Sequence, residues 1–448
     1  MYIIIFRLHL IIKHLAFSNV HHGSMVYRKN PPNFASILII NHVDMKNFVT
    51  SILCSLMFCS CFGNNHKPKE QTSTEPAIDK ISIHEGNTAN ENFIKDNVWH
   101  LDVTKSYEKK TLYLQDIAEI EYVPIETTEF SLWRGREVYY IDDKYIIAAN
   151  DHCGVMVHAR NGKALYNFNK KGNGPNEYKE ISDLCYDPKT NEVFILSMLA
   201  CKIYVYDING NFKRSFNTGY TGKDRIYNIK IFNEKELYAY VFDNTFVRIS
   251  RKDGKIINKK HFKSTKEMNL SINKDGFRAN SSANTYIKSN ENFILSTYAS
   301  DTTYINHPEV GMKPFIARVP SVHKMETPIF FFPGIDTPHY YMAYTIKKEW
   351  DFKANKGYPS QEYIFDKKHS QIYELEALIN KDYIKGGATD LFGLNRAEVP
   401  ADYCIRTIKA EKLYQDYKEG NLRGKLKEVA ATLQEDDNPV LMIVKFKR

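Results

Sequence analysis

The sequence predicts an all-β chain built from a repeating sheet, and three observations carry that expectation. Tyr and Phe number 30 and 26 against three Trp, and such aromatic side chains fit the half-buried face of a pleated strand. Apolar residues alternate in runs such as "REVYYIDDKYIIAAND" and "KIYVYDINGNFKRSFN", the period of a strand with one face buried. Asn161-Gly162, Asn209-Gly210 and Asp253-Gly254 split strand pairs, and these dipeptides supply the positive φ that tight hairpins need. Gly162, Gly210 and Gly254 stand 48 and 44 residues apart. A four-stranded antiparallel unit recurring at that interval is how a β-propeller blade reads, because one sheet leaves two faces bare and blades around an axis cover each other.

The N-terminus reads differently. "MKNFVTSILCSLMFCSCFGNN" starts at Met45 with a Lys, continues as an apolar run and ends on Cys59-Ser60-Cys61. This is the n-region, h-region and small-residue site of an export signal. Cys61 after the small Ser60 is the expected lipidation site, and the run is too short to span a bilayer. Residues 45–60 are therefore read as a lipoprotein signal peptide and 1–44 as an upstream extension from a start codon placed too early. Residues 61–97, polar and poor in aromatics, read as a flexible tether; 98–448 read as the propeller. The formal net charge of +8 also shrinks: residues 1–60 hold five Lys/Arg and one Asp, leaving 56 basic against 52 acidic side chains. The apparent basicity largely disappears, and with it most of the argument for nucleic-acid binding.

In chain order, the opening strand is expected within 112–127. The pairs around Gly162, Gly210 and Gly254 give the first three blades. "NTYIKSNENFILSTYASDTTYIN" with "KPFIARVP" gives a fourth, and "HYYMAYTIKKEW" with "EYIFDKKHSQIYELE", turning at 367–370, gives a fifth. The closing strand, 439–447, is expected to share a blade with 112–127 and remove the open edges. Leu413, Tyr417, Leu426, Val429 and Leu433 have helical spacing, so 408–434 is read as a short helical insertion. The length suits six to seven blades.

The set "LQDIAEIEYVPIETT", "IDDKYIIAAND", "KKGNGPNEY", "VYDINGNFKRSF", "SDTTY" and "DDNPVLMIVKFK" resembles the six-bladed β-propeller lipoproteins of Bacteroidetes, an NHL-like propeller family largely without assigned function. The likeness runs over 112–448 and is best in the first three blades. It implies six four-stranded blades and an envelope location rather than a reaction. The family loop GxGPGEY is matched by Gly172, Gly174, Pro175, Glu177 and Tyr178, with Asn176 in place of a glycine. The resemblance also implies that surface-displayed members carry an acidic stretch after the lipidated Cys; none follows Cys61, so an outer-membrane anchor facing the periplasm is expected over surface display.

For chemistry the sequence offers little. No GxSxG, HExxH or P-loop pattern is present. Gly172 and Gly174 are followed by another strand pair rather than a helix, so "KKGNGPNEY" is read as a blade-to-blade crossover and not a phosphate cradle. His152, His158, His261, His307, His323 and His339 are read as solvated or core side chains. Asp151, Asp183 and Asp301 are read as turn caps, with convergence on a metal at the channel mouth as the alternative. Asp436-Asp437 reads as a solvated turn. Cys153, Cys185, Cys201 and Cys404 read as free thiols, with a Cys185–Cys201 disulfide as the alternative. Tyr340, Tyr341 and Tyr344, with Tyr358, are candidates for a sugar-stacking platform, with core packing as the competing reading; Trp133 and Arg134 are ambiguous in the same way. The expectation is a monomeric, lipid-anchored, non-catalytic binding or scaffolding module without cofactor, its partner an envelope protein or glycan. The alternative is a propeller enzyme, a metal-assisted lyase, lactonase or glycoside-active hydrolase, with its site at the central channel.

Overall fold

The computed structural model describes residues 94–448, apart from 96, 134–137, 223, 242–243, 265–267, 275, 282, 284, 290–291, 355, 389–398 and 401. Residues 1–93, and with them Met45, the signal segment, Cys61 and nearly all of the tether, lie outside the described residues, as does Arg134.

Six antiparallel blades form a propeller ring. Blade 1 is Val138–Ile141, Tyr145–Asn150, Gly154–Ala159 and Ala164–Phe168. Blade 2 is Asp183–Asp187, Glu192–Ser197, Lys202–Tyr206 and Phe212–Asn217. Blade 3 is Ile226–Ile231, Glu236–Val241, Thr245–Ser250 and Ile256–His261. Blade 4 is Tyr286–Ser289, Asn292–Leu295, Thr302–His307 and Gly311–Val319. Blade 5 is Ile329–Asp336, Tyr340–Lys347, Ser360–Asp366 and Gln371–Ile379. In blade 6, Tyr403–Ile408, Val440–Phe446 and Ala118–Pro124 pair in that order among the described residues.

Period-two alternation gives each sheet two apolar faces, and the buried clusters fall between neighbouring blades. Ile147, Val155 and Val157 of blade 1 pack on Leu184, Tyr186 and Ile195 of blade 2, while Cys185, Phe194 and Val205 face Ile229, Leu237 and Val247 of blade 3. Tyr238 and Phe246 meet Tyr286 and Phe293 of blade 4, and Ile294 and Ile316 meet Tyr341 and Phe365 of blade 5. Met342 and Ile364 meet Met442 and Val444 of blade 6. Val123, Leu441 and Ile443 return to Val138, Ile146 and Met156 of blade 1, completing the ring. Burying one such side chain contributes about 1.5–3 kcal/mol, so each blade is held by the two beside it.

The closure expected from the sequence is present: Pro124 pairs with Val440, and the register runs antiparallel to Ala118 with Phe446. The expected single opening strand is broken, however. A four-residue helix, Leu114–Ile117, separates Ala118–Pro124 from Lys109–Tyr113. The latter lies parallel to Gln371–Ile379 on the rim of blade 5. Val98–Asp102 likewise lies parallel to Gly311–Val319 on blade 4, with Trp99 opposite Ile316, and Ile94–Lys95 folds back outside it. The N-terminal segment thus straps the rims of blades 4 and 5 before it enters blade 6.

Blade 5 also has an inner strand, "IFFFPGID", that Pro333-Gly334 disguised. The ladder absorbs them by a register shift between Pro333 and Ile335, where a missing N–H is tolerated. The helical insertion is two helices, Ala410–Lys418 and Gly424–Ala430. Leu413, Leu426 and Leu433 are buried. Among the described residues no helix is long and apolar enough to cross a membrane.

Candidate interaction face

Antiparallel strands alternate in direction, so the second-to-third-strand turns and the blade-to-blade crossovers emerge at one end of the ring. The other end carries the first-to-second and third-to-fourth turns. Among the described residues these are short, as at 142–144, 160–163, 207–211, 251–255 and 367–370. Among the described residues, the long connections 125–133, 169–182, 262–285, 348–359 and 409–439 reach the first end. Loops on a rigid scaffold are where recognition concentrates, and four of these segments have defined internal chemistry.

The glycine-rich crossover is closed by its own acid. The Gly174 amide donates to Glu177 Oε2 at 2.7 Å, and a β-carbon on Gly172 would collide with the same carboxylate. Tyr178 is fully buried; its hydroxyl donates to Asn169 Oδ1 at 3.2 Å and accepts the Lys170 amide at 3.1 Å. Gly172 donates to Tyr178 O, and Tyr206 Oη donates to Asn176 O, tying the loop to blade 2. The carboxylate sits where a cradled anion would, so the loop is a joint that carries its own counter-charge. Burial, the largest cause, pushes the Tyr178 phenol up to about 12, so it stays neutral as the hydrogen bonds require.

The 262–285 connection carries a hairpin, Leu270–Lys274 with Phe277–Ser281. Tyr358 Oη lies 2.9 Å from both Leu270 O and Ala279 O, latching it to blade 5. The Trp350 ring packs edge-on against Tyr358 at 5.5 Å. The two helices of 409–439 sit beside a polar knot. Tyr122 Oη donates to Asp382 Oδ2 at 2.7 Å and accepts Asn380 Nδ2 at 2.9 Å, while Arg423 N–H donates to Asp382 O. Burial first, then the Asp382 bond, holds the Tyr122 phenol well above its ordinary range. Hairpin, helices and Tyr358 share one apolar cluster and form a cap over this end.

Segment 125–133 holds a Ser–His contact that the sequence did not single out. Ser131 Oγ and His158 Nε2 are 2.6 Å apart, both residues have no exposed surface, and Trp133 packs edge-on against the imidazole at 5.4 Å. Asn438 pins the segment, donating to Ser131 O and Glu126 O and accepting the Trp133 amide. Burial lowers the His158 pKa to about 4. A nucleophile needs substrate access, and this pair has none; it locks the crossover into blade 1.

The remaining candidate residues are brought to separate places. Gly162, Gly210 and Gly254 have φ of +88°, +82° and +75°, and their turns each abut the outer strand of the preceding blade, at Pro124, Phe168 and Phe216. Asp151 accepts the Ile181 amide and pairs with Lys171 at 3.2 Å, Asp183 accepts the Ile229 amide at 2.8 Å, and Asp301 accepts the Val322 amide at 2.7 Å. They do not converge, and no group of three His, Cys, Asp or Glu able to hold a metal is found among the described residues. None of the four described cysteines is in a disulfide, so the Cys185–Cys201 alternative is not formed.

The aromatic platform needs correction. Tyr341 is 0% exposed in the interface with blade 4, and Tyr344 is buried on the opposite face, toward blade 6. Residues three apart on a strand point to opposite faces, a signal available in the sequence. Tyr340 is half-buried with Lys110 Nζ over its ring at 5.2 Å, and Tyr358 is in the cap. Exposed apolar side chains on this end are differently placed and include Leu199 (65%) in the second-to-third-strand turn of blade 2, Ile384 (56%) beside the helices and Phe352 (38%) in the hairpin of Trp350–Asp351 with Lys356–Gly357.

No curated protein matches the chain. Among solved structures, the WD40 repeats of RRP9 align at 10% identity over 73% of this chain and 100% of that one, with a TM-score of 0.35 too low to bear on the fold. The chain is similar to a Bacteroides fragilis NCTC 9343 protein described as exported, at 15% identity over 78% of this chain and 99% of that one, with a TM-score of 0.55. At that identity the likeness concerns fold alone. Residues 99–318 match the family described as Domain of unknown function (DUF4934), a stretch that runs from the rim strand on blade 4 through the fourth strand of that same blade.

Proposed function

We propose that this chain is an envelope-anchored lipoprotein, bound through Cys61 to the outer membrane and facing the periplasm, whose propeller is a non-catalytic binding or scaffolding module. The observation that carries the reading is the unequal build of the two ends. One has tight turns, while the other has a braced cap with exposed Ile384 and Phe352. A braced cap with apolar projections matches the anatomy of a protein-binding patch, where a few buried anchors dominate. The similarity to an exported Bacteroides protein supports the address.

The test is comparative capture from envelope fractions under crosslinking. The wild-type chain and a Val310→Asp variant, altered at the tight-turn end, are expected to recover the same stoichiometric partner. An Ile384→Asp/Phe352→Asp variant is expected to lose at least tenfold of it. Equal recovery by all three would sink the assignment of the capped end. Membrane association that survives Cys61→Ala would sink the anchor.

A further inference from the structure

The sequence contains three Asn-Gly dipeptides, Asn161-Gly162, Asn173-Gly174 and Asn209-Gly210, and all three asparagines are exposed. An asparagine before a glycine is chemically labile: the glycine nitrogen can attack the side-chain amide, and no β-carbon on the glycine hinders it. The three sites differ in what holds the reacting groups. At the two hairpins, Gly162 N–H donates to Ala159 O at 2.9 Å and Gly210 N–H to Asp207 O at 3.0 Å. A main-chain carbonyl cannot take up the proton that the attacking nitrogen must lose. Both glycines are also buried at φ of +88° and +82°, in turns that abut the preceding blade.

Asn173-Gly174, in the glycine-rich crossover, is held by charged groups instead. The Gly174 N–H donates to Glu177 Oε2 at 2.7 Å, within the reach required of a general base. The Lys179 ammonium donates to Asn173 Oδ1, the oxygen on which negative charge develops when the side-chain carbonyl is attacked. The closure of the loop positions both partners. Gly172 N–H donates to Tyr178 O at 3.0 Å, Tyr178 N–H to Lys170 O at 3.1 Å and Glu177 N–H to Gly174 O at 3.2 Å. A base and a cation therefore flank one amide pair within a single short loop, so little entropy remains to be lost in assembling them. Because Asn173 is exposed, water has access to the site.

We propose that Asn173 is a self-modification site, where the crossover converts its own asparagine through a succinimide into aspartate and isoaspartate. Gly174 N attacks Asn173 Cγ while Glu177 accepts the amide proton and Lys179 stabilises the oxyanion at Oδ1. The N–Cγ bond forms, the Cγ–Nδ2 bond breaks, and the proton taken by Glu177 leaves on the departing ammonia. Water then opens the five-membered ring. Attack at the side-chain carbonyl restores the main chain as aspartate, and attack at the main-chain carbonyl gives isoaspartate. One water is consumed and one ammonia released. Either product adds a carboxylate beside Lys179 at the joint between blades 1 and 2, and the isoaspartyl form lengthens that joint by a methylene. The conversion runs one way, so it marks the age of the chain.

The test is peptide mapping by mass spectrometry on the full chain incubated at neutral pH. The one-mass-unit gain of deamidation is expected at Asn173 at least tenfold faster than at Asn161 or Asn209, with isoaspartate among the products. Unfolding the chain in denaturant should bring the three rates together. Glu177→Gln keeps an acceptor for the Gly174 amide but no base, and Lys179→Gln removes the cation. Each is expected to slow the reaction at Asn173 at least fivefold and to leave Asn161 and Asn209 unchanged. Conversion at Asn173 no faster than at the hairpins would overturn the inference and leave Glu177 as a loop closure only. An unchanged or faster reaction in Glu177→Gln would also overturn it, by assigning the rate to loop mobility, as would a rate difference that persists in denaturant.

Discussion

His158 shows how a single buried side chain makes this ring sensitive to acid. Its imidazole is neutral in the folded chain because burial lowers its pKa from 6.5 to about 4. The unfolded chain binds the proton near 6.5, so the stability is fully present above that value and is lost as pH falls toward 4. Between pH 6.5 and 5 the loss amounts to about 2 kcal/mol. A denaturant titration series over that window should show it, and His158→Gln should flatten the slope. An unchanged slope in the variant would assign the acid sensitivity to other groups. Arg251 makes a contrasting case. Its guanidinium is 4% exposed, bonded to Asp187 Oδ2 at 2.6 Å and Glu192 Oε2 at 3.3 Å, while Arg214 grips the same Glu192 at 2.6 and 3.0 Å. Burial alone would raise the Glu192 carboxyl, but the Arg214 bonds and charge, with Lys213 and Arg251, hold it below its ordinary range. The network joins blades 2 and 3 and stays charged through mild acid.

At the scale of elements, the three repeating turn glycines are joints as well as turns. A β-carbon on Gly210 would lie 2.6 Å from Phe168 Cγ, whereas one on Gly219 meets nothing within 4 Å although its φ is also positive, +73°. Gly219→Ala therefore tests the backbone strain by itself, at about 1–2 kcal/mol. Gly210→Ala adds the collision with blade 1, roughly 1–3 kcal/mol more. Equal losses in thermal melts of the two variants would mean that the turn does not bear on its neighbour. The turn dipeptides, their spacing and the helical insertion were legible because each is a local signal: a φ requirement or a period of 2 or 3.6. The inner strand holding Pro333-Gly334 was not, since only a bulge at Gly334, formed when the strand pairs with Tyr340–Lys347, makes that dipeptide tolerable. The Ser131–His158 contact was equally hidden, because 27 residues separate the two and only the crossover brings them together.

For the whole molecule, stability is shared around the ring, and closure decides it. Val440–Phe446 pairs with both Tyr403–Ile408 and Ala118–Pro124, so removing it opens both edges of blade 6. A chain ending at Pro439 should show no cooperative thermal transition by calorimetry. A single transition within a few degrees of the wild type would show that the closure is dispensable. The sequence by itself determined the all-β class, the blade period, the hairpin positions and the closing pair. These rest on alternation and turn chemistry that neighbouring residues enforce. Only the tertiary structure decided that Trp99 lies beside Ile316 on the rim of blade 4, that Tyr341 and Tyr344 belong to two different interfaces, and that Glu177 fills the glycine loop. Those outcomes depend on which surfaces meet across hundreds of residues, and pairing at that range is set by burying every blade face at once rather than by any segment's own preference.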